Sequence, residues 1–352
     1  MGKQVKKTFF NILIFALTTL SLSTCNDSIF YMVSIEQELL KPLIDGSPTN
    51  FVEFDGAMFV ASAKNIWKYK NGSWDRYGQD RWVVQLAATG TYLYALYDDD
   101  SVIRFNSLLS PNSTGINNAK SIFAANNVLF VGNNDGKDSF SISYRDNSGT
   151  TDRIITGVPM LNGAAYDGAN YYLSTNGGSI YYTSGSFSTA DPIDDSSKDF
   201  TGIIRLENNT VVAITRNGNL HKVDNSGTGG SIANFGGRLS SGALAIWTDN
   251  GSKLLLAGRQ DELTYSIYSG YTYGYLEIDL DSSGITGSSF REPGTGSTST
   301  VSSNESYTSS IGKNPVNSIF QADDGILFAS TQKNGVWSYR MRDGEWQWNA
   351  EN

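Results

Sequence analysis

One cysteine and one histidine in 352 residues leave little of the usual reactive chemistry available. Cys25 has no partner cysteine, so an internal disulfide and any multi-cysteine metal site are excluded. His221 sits in Asn219-Leu220-His221-Lys222-Val223 and reads as a half-exposed strand residue, which leaves zinc sites and nucleophile-His triads without their parts. No G-x-x-x-x-G-K-[ST] phosphate loop is present, and the glycine-rich stretch 227–237 lacks the strand-to-helix setting of a dinucleotide site. Charge is scarce too, at 17% of residues, and its balance is acidic, with a net −9. An acidic chain does not bind nucleic acid through a phosphate footprint, nor adhere electrostatically to anionic lipid.

Long apolar runs are also missing, with one exception at the amino terminus. Lys3, Lys6 and Lys7 precede an apolar stretch from Phe9 to Leu20. It is short for a permanent span and has the build of a cleaved secretory signal over residues 1–24. Its removal takes three lysines away and leaves about −12 on the mature part. Leu22-Ser23-Thr24-Cys25 follows directly. This small-residue run ending in cysteine resembles a bacterial lipobox, and with Thr24 before the cysteine it is similar to the looser lipoboxes of spirochaete lipoproteins. The resemblance implies that Cys25 is acylated and becomes the first residue. Two or three acyl chains then hold the protein at a membrane, at about 0.8 kcal/mol per buried methylene. Residues 25–50 are expected to be the lipidated terminus and a spacer.

From residue 51 to 352 one phrase repeats, and it predicts an all-β chain. Its clearest part is a short apolar strand around a small residue. The seven copies are Phe59–Ser62, Leu93–Leu96, Leu129–Gly132, Tyr172–Thr175, Val212–Thr215, Leu255–Gly258 and Leu327–Ser330. Hairpin signals such as Asp55-Gly56, Asp167-Gly168 and Asp324-Gly325 lie between apolar strands. The mean spacing approaches the about 40–50 residues of a four-stranded propeller blade. The expected fold is one β-propeller, with seven blades ahead of six or eight. The first and last units match best: Ile66-Trp67-Lys68-Tyr69-Lys70 with Gly72-Ser73-Trp74, against Val336-Trp337-Ser338-Tyr339-Arg340 with Gly344-Glu345-Trp346. Such a match suits blades that meet side by side where the ring closes. These turn phrases resemble the sensor-type propellers of bacterial envelope proteins, a likeness that carries fold information and almost no function.

One interval breaks the rhythm. Between Ala257 and Ala329 lie a tyrosine-rich hairpin, 265–280, and a Ser/Thr/Gly tract expected as a surface loop over about 282–310, or as a degenerate eighth blade. Tyr265, Tyr268, Tyr271, Tyr273 and Tyr275 are the candidate ligand-binding residues, because exposed tyrosine ladders suit sugar rings or peptides. The competing reading is packing between blades, and it applies more strongly to Trp346 and Trp348. Asp98-Asp99-Asp100, Asp194-Asp195 and Asp279 with Asp281 carry the carboxylates that a calcium site or an acid/base pair would need, although aspartate is also an ordinary turn residue. No metal, cofactor or catalytic residue is expected.

The leading expectation is an exported envelope lipoprotein, on the periplasmic or the surface side, that binds a protein or glycan without turning it over. A carbohydrate-active propeller using acidic residues is the first alternative. A periplasmic assembly factor for outer-membrane proteins is the second.

Overall fold

The computed structural model describes residues 43–351 apart from 137–138, 147, 150, 177, 188–189, 195–197, 237–238, 250–251, 260–273, 292–310, 312–313 and 343. These residues form a seven-bladed β-propeller. Each blade is a four-stranded antiparallel sheet whose strands follow one another in chain order, spanning 52–78, 83–113, 119–158, 161–194, 200–234, 240–285 and 316–350. The seven repeated apolar phrases all fall on second strands. Those strands are the most completely buried: Val60, Ala61, Ala95, Val131, Leu173, Ala213, Ala257 and Ala329 are each 0% exposed. Small or β-branched side chains fit here because the second strand has a neighbouring blade on both faces and the blades converge toward the axis.

The first strand of each blade is innermost, and successive blades are stitched there by side chains that reach the next blade's backbone. Asn50 donates from Nδ2 to Leu86 O at 2.8 Å and accepts from Leu86 N at 3.1 Å. Gln85 accepts from Ile122 N at 3.0 Å, and Ser121 donates to Leu161 O at 2.7 Å. Asn162 donates to Phe200 O at 2.6 Å, and Ser318 accepts from Phe51 N at 3.1 Å, which closes the ring from blade 7 to blade 1. Between blades 5 and 6 the stitch is replaced by backbone contact. A Cβ on Gly202 would lie 2.0 Å from Gly242 O, and Gly242 itself has φ +85, so neither position tolerates a side chain.

The first and last blades meet at the seam between blades 7 and 1, as the matching aromatic phrases suggest. Glu351 is 4% exposed. Its carboxylate accepts from Arg340 Nη2 at 2.7 Å, from the Ser338 hydroxyl, and from Trp74 Nε1 of blade 1 at 2.9 Å. Tyr69 of blade 1 donates its hydroxyl to Asp324 of blade 7 at 2.6 Å, and its ring meets Phe328 edge-on at 4.8 Å.

Two expected boundaries move. Residues 43–50, assigned to a spacer, belong to the propeller: Ile44 is 1% exposed, and its carbonyl and that of Gly46 accept from Val336 N and Gly335 N at 3.0 Å. The apolar side chain is buried there, and the carbonyls are satisfied by backbone N–H groups at the start of the third strand of blade 7. The tract after Ser282 is not a loop throughout. Gly284–Ile285 forms the outermost strand of blade 6, Phe290 packs edge-on against Phe235 at 4.6 Å, and Arg291 makes a two-pronged bond to Asp279 at 2.6 Å.

Candidate functional site

Antiparallel order places the turns between second and third strands, and the connections between blades, on one face, called here the upper face. The lower face carries the other turns. On the upper face the innermost strands of blades 2 to 7 begin with an irregularity. The pairing register slips at Val83/Gln85 in blade 2, and at the matching step in blades 3, 4, 5 and 7. Each slip leaves one residue out of the ladder: Val84, Lys120, Asn162, Thr201 and Asn317. A bulge re-aims a side chain, and five of them in register set a ring of residues beside the upper mouth of the axial channel.

Most members of that ring are occupied. Lys120 pairs with Asp100 of blade 2 at 2.5 Å, and Asn162 is held by Phe200 O and Asn176. Val84 is different, at 51% exposed, and Trp82 two residues earlier is 55% exposed. They flank the buried Val83. The backbone beneath them is fixed: Asp98 N donates to Trp82 O at 3.0 Å and Val83 N to Ala63 O at 2.9 Å. Beside them Arg81 lies over the Tyr97 ring at 4.6 Å and bonds the Asp99 carboxylate and the Ser101 hydroxyl. The Ser101 hydroxyl and then Arg81 hold the Asp99 carboxyl below the usual carboxylate range, while burial pushes the Tyr97 phenol up to about 12. This sector is a rigid apolar step beside a fixed ion pair.

The expected site residues are placed as follows. Cys25, Tyr265, Tyr268, Tyr271 and Tyr273 lie outside the described residues. Tyr275 is 1% exposed, accepts a hydrogen bond from Trp348 Nε1 at 3.2 Å and meets that ring edge-on at 5.7 Å. Its ring is therefore spent on packing between blades 6 and 7 and offers no face to a ligand. Trp348 is 2% exposed, whereas Trp346 is 47% exposed and stacks on Tyr339 at 5.5 Å. The carboxylates are mostly engaged in turns and ion pairs. Asp99 and Asp100 meet Arg81 and Lys120, Asp279 grips Arg291, and Asp281 caps its own turn through Ser283 N at 2.7 Å. Among the described residues no three His, Cys, Asp or Glu side chains converge as metal ligands.

His221 is more buried than expected, at 6% exposed. It lines a cleft of about 480 Å³ on the upper side of blade 5 together with Lys198, Asp199, Arg216, Asn217 and Asn219.

Sequence reasoning passed over Trp82, Val84 and Arg216. A signal for the first was present: a tryptophan inside the polar connection Gln79-Asp80-Arg81-Trp82, where no strand needs it. Arg216 carried no such mark, because its importance comes from neighbours distant in sequence.

No family model and no curated protein matches this sequence. Solved structures share the fold. The extracellular domain of the one component system BT4673 from B. thetaiotaomicron has a TM-score of 0.57 at 14% identity, over 86% of this chain and 39% of that one. YCF48 bound to D1 peptide gives 0.54 at 11%, over 86% and 94%. PorZ, a surface component of the type-IX secretion system of Porphyromonas gingivalis, gives 0.52 at 8%, over 89% and 39%. At such identities the likeness is one of architecture, and it includes bacterial extracellular propellers.

Proposed function

We propose that the protein is an exported propeller, held at the cell envelope by lipid on Cys25, that binds a protein partner on its upper face without chemical turnover. The observation that carries this reading is the exposed pair Trp82 and Val84 on a backbone pinned at the channel mouth. Burying the half-exposed Trp82 and Val84 side chains against a partner gains about 25 cal/mol for each Å² of apolar surface removed from water, and pre-fixed groups lose little entropy on binding. Tryptophan beside arginine is also the composition of energetic centres in protein interfaces. Fold neighbours that include the extracellular domain of a one component system, and one solved with a bound peptide, support the same direction.

The test is co-purification from envelopes after mild crosslinking, comparing the parent with the double change Trp82→Ala and Val84→Asn. Both side chains are exposed, so the fold survives and loss of a reproducible partner is the expected result. Retention of every partner by the double variant would contradict the assignment of the face. Metabolic labelling with an alkyne palmitate tests the anchor separately: label is expected on the parent and absent from Cys25→Ala.

A further inference from the structure

The cleft on blade 5 differs from the same place in the other blades in a way that packing does not require. Ala213 of the second strand pairs with His221 of the third, just as Val60 pairs with Trp67 and Ala329 with Trp337. An imidazole thus stands where blades 1 and 7 place an indole, and the smaller ring leaves room beside it. His221 Nδ1 lies 3.0 Å from Gly229 O, and the ring meets Phe200 edge-on at 5.9 Å. A carbonyl only accepts, so Nδ1 carries a proton and Nε2 is the ring's remaining polar atom.

Arg216 occupies the second distinctive place. At the upper end of the second strand, one residue donates its backbone N–H to the residue preceding the first strand in blades 2, 3, 4, 5 and 7: Asp98, Asn134, Asn176, Arg216 and Gln332. Only in blade 5 is that residue cationic. Arg216 is also fixed on its other side, where its carbonyl accepts from Ser240 N at 2.8 Å, and its Nε donates to Asp199 at 2.6 Å. Its two terminal nitrogens make no hydrogen bond to the described residues. Lys198 stands on the same cleft with Nζ on Thr228 at 2.9 Å, and Asn219 bonds Asn217 at 3.1 Å, so amides that both donate and accept border the cations.

We infer that this cleft binds a sugar acid: a pyranose carrying one carboxylate, with the carboxylate on the outer nitrogens of Arg216 and ring hydroxyls on His221 and the two asparagines. A planar guanidinium with its end nitrogens open matches a carboxylate's two oxygens. Hydroxyls need partners of mixed donor and acceptor character, which the amides and the imidazole supply. The strongly acidic remainder of the chain repels polyanions, so a single charge fits the site better than a phosphate chain. The site stands apart from Trp82 and does not rest on the upper-face reading.

The lone histidine makes the test direct, because the imidazole proton signals of the mature protein belong to one residue. Glucuronate, glucose and N-acetylaspartate are titrated separately, with the His221 signals followed by NMR. Saturable shifts with glucuronate and none with glucose are expected, and Arg216→Gln should weaken glucuronate by at least about tenfold, the value of a lost charge-assisted pair. Folding of that variant is checked by the unchanged His221 signal in the ligand-free protein. Absence of saturable shifts, equal response to glucose, equal response to N-acetylaspartate, or an unaltered affinity in Arg216→Gln would each overturn the inference.

Discussion

Blades 1 and 7 carry the same aromatic phrase, yet it is covered in one and open in the other. In blade 1, Tyr69 is 3% exposed, and Trp74 is packed against Phe328 and bonded to Glu351. In blade 7, Tyr339 and Trp346 stack on each other, but Trp346 stays 47% exposed and its cross-strand partner Met341 53%. The cause lies in the register of the outer hairpin. Tyr69 stands opposite Trp74, whereas Tyr339 stands opposite Trp348, which is 2% exposed in the packing between blades 6 and 7. The longer third strand of blade 7, Val336–Arg342 against Asn65–Lys70 in blade 1, carries Met341 and Trp346 past that point. A repeated sequence therefore sets the shape of a blade, and the register of its outer hairpin decides which of the aromatic side chains face water.

The largest expected break in this comparison comes at the seam. Glu351→Ala removes the carboxylate that Arg340, Ser338 and Trp74 share and leaves a charge without its counter-ion, at a cost of about 3 kcal/mol. A denaturant midpoint indistinguishable from the parent would show that the Glu351 contacts do not hold the ring. Trp74→Ala should cost about 2–3 kcal/mol, whereas Trp346→Ala, though the same letter of the phrase, should cost under about 1 kcal/mol. Equal losses would mean that the two faces are equally covered. Tyr69→Phe removes only the hydroxyl bond to Asp324 and should cost about 1 kcal/mol.

Alkaline titration sharpens the same contrast. Burial, and for Tyr69 also the Asp324 contact, raises the Tyr69 and Tyr97 phenols above 10.0, Tyr97 to about 12. Both are neutral in the fold while the unfolded chain ionises first. Their contribution is complete below pH 10.0 and is lost between there and the folded value, at about 1.4 kcal/mol per pH unit for each. Stability measured from pH 9 to 12 should fall accordingly, and Tyr97→Phe should flatten the decline.

Much of the architecture was legible because burial demands it. The second strands must be apolar and small near the axis, and their seven phrases stood out from Phe59 to Ser330 without any alignment. The Asp55-Gly56 turn was equally plain, since Asp55 (φ 52) and Gly56 (φ 61) both take the left-handed conformation its hairpin needs. What escaped was set by distance. Asn50, Gln85 and Ser318 look like ordinary polar strand residues, and only the ring shows that each completes the next blade. The bulges at Val84 and Asn317 leave no trace in a two-residue period. Tyr275 misled for the opposite reason, because alternating tyrosines read the same whether they face solvent or the next blade. His221 was noticed but read as half-exposed, since nothing local announced Arg216 beside it.

Exposure alone would favour Leu108, at 83%, over Trp82, at 55%, as a point of contact. The two lie on opposite faces: Leu108 in the turn after the third strand of blade 2, Trp82 in the connection that precedes its first. A photo-crosslinking amino acid placed at 82 or at 108, in cells exporting the protein, therefore separates a binding face from mere accessibility. The expected result is a discrete crosslinked product from position 82 and none from position 108. Equal products from both positions, or a product from 108 alone, would contradict a partner site on the upper face.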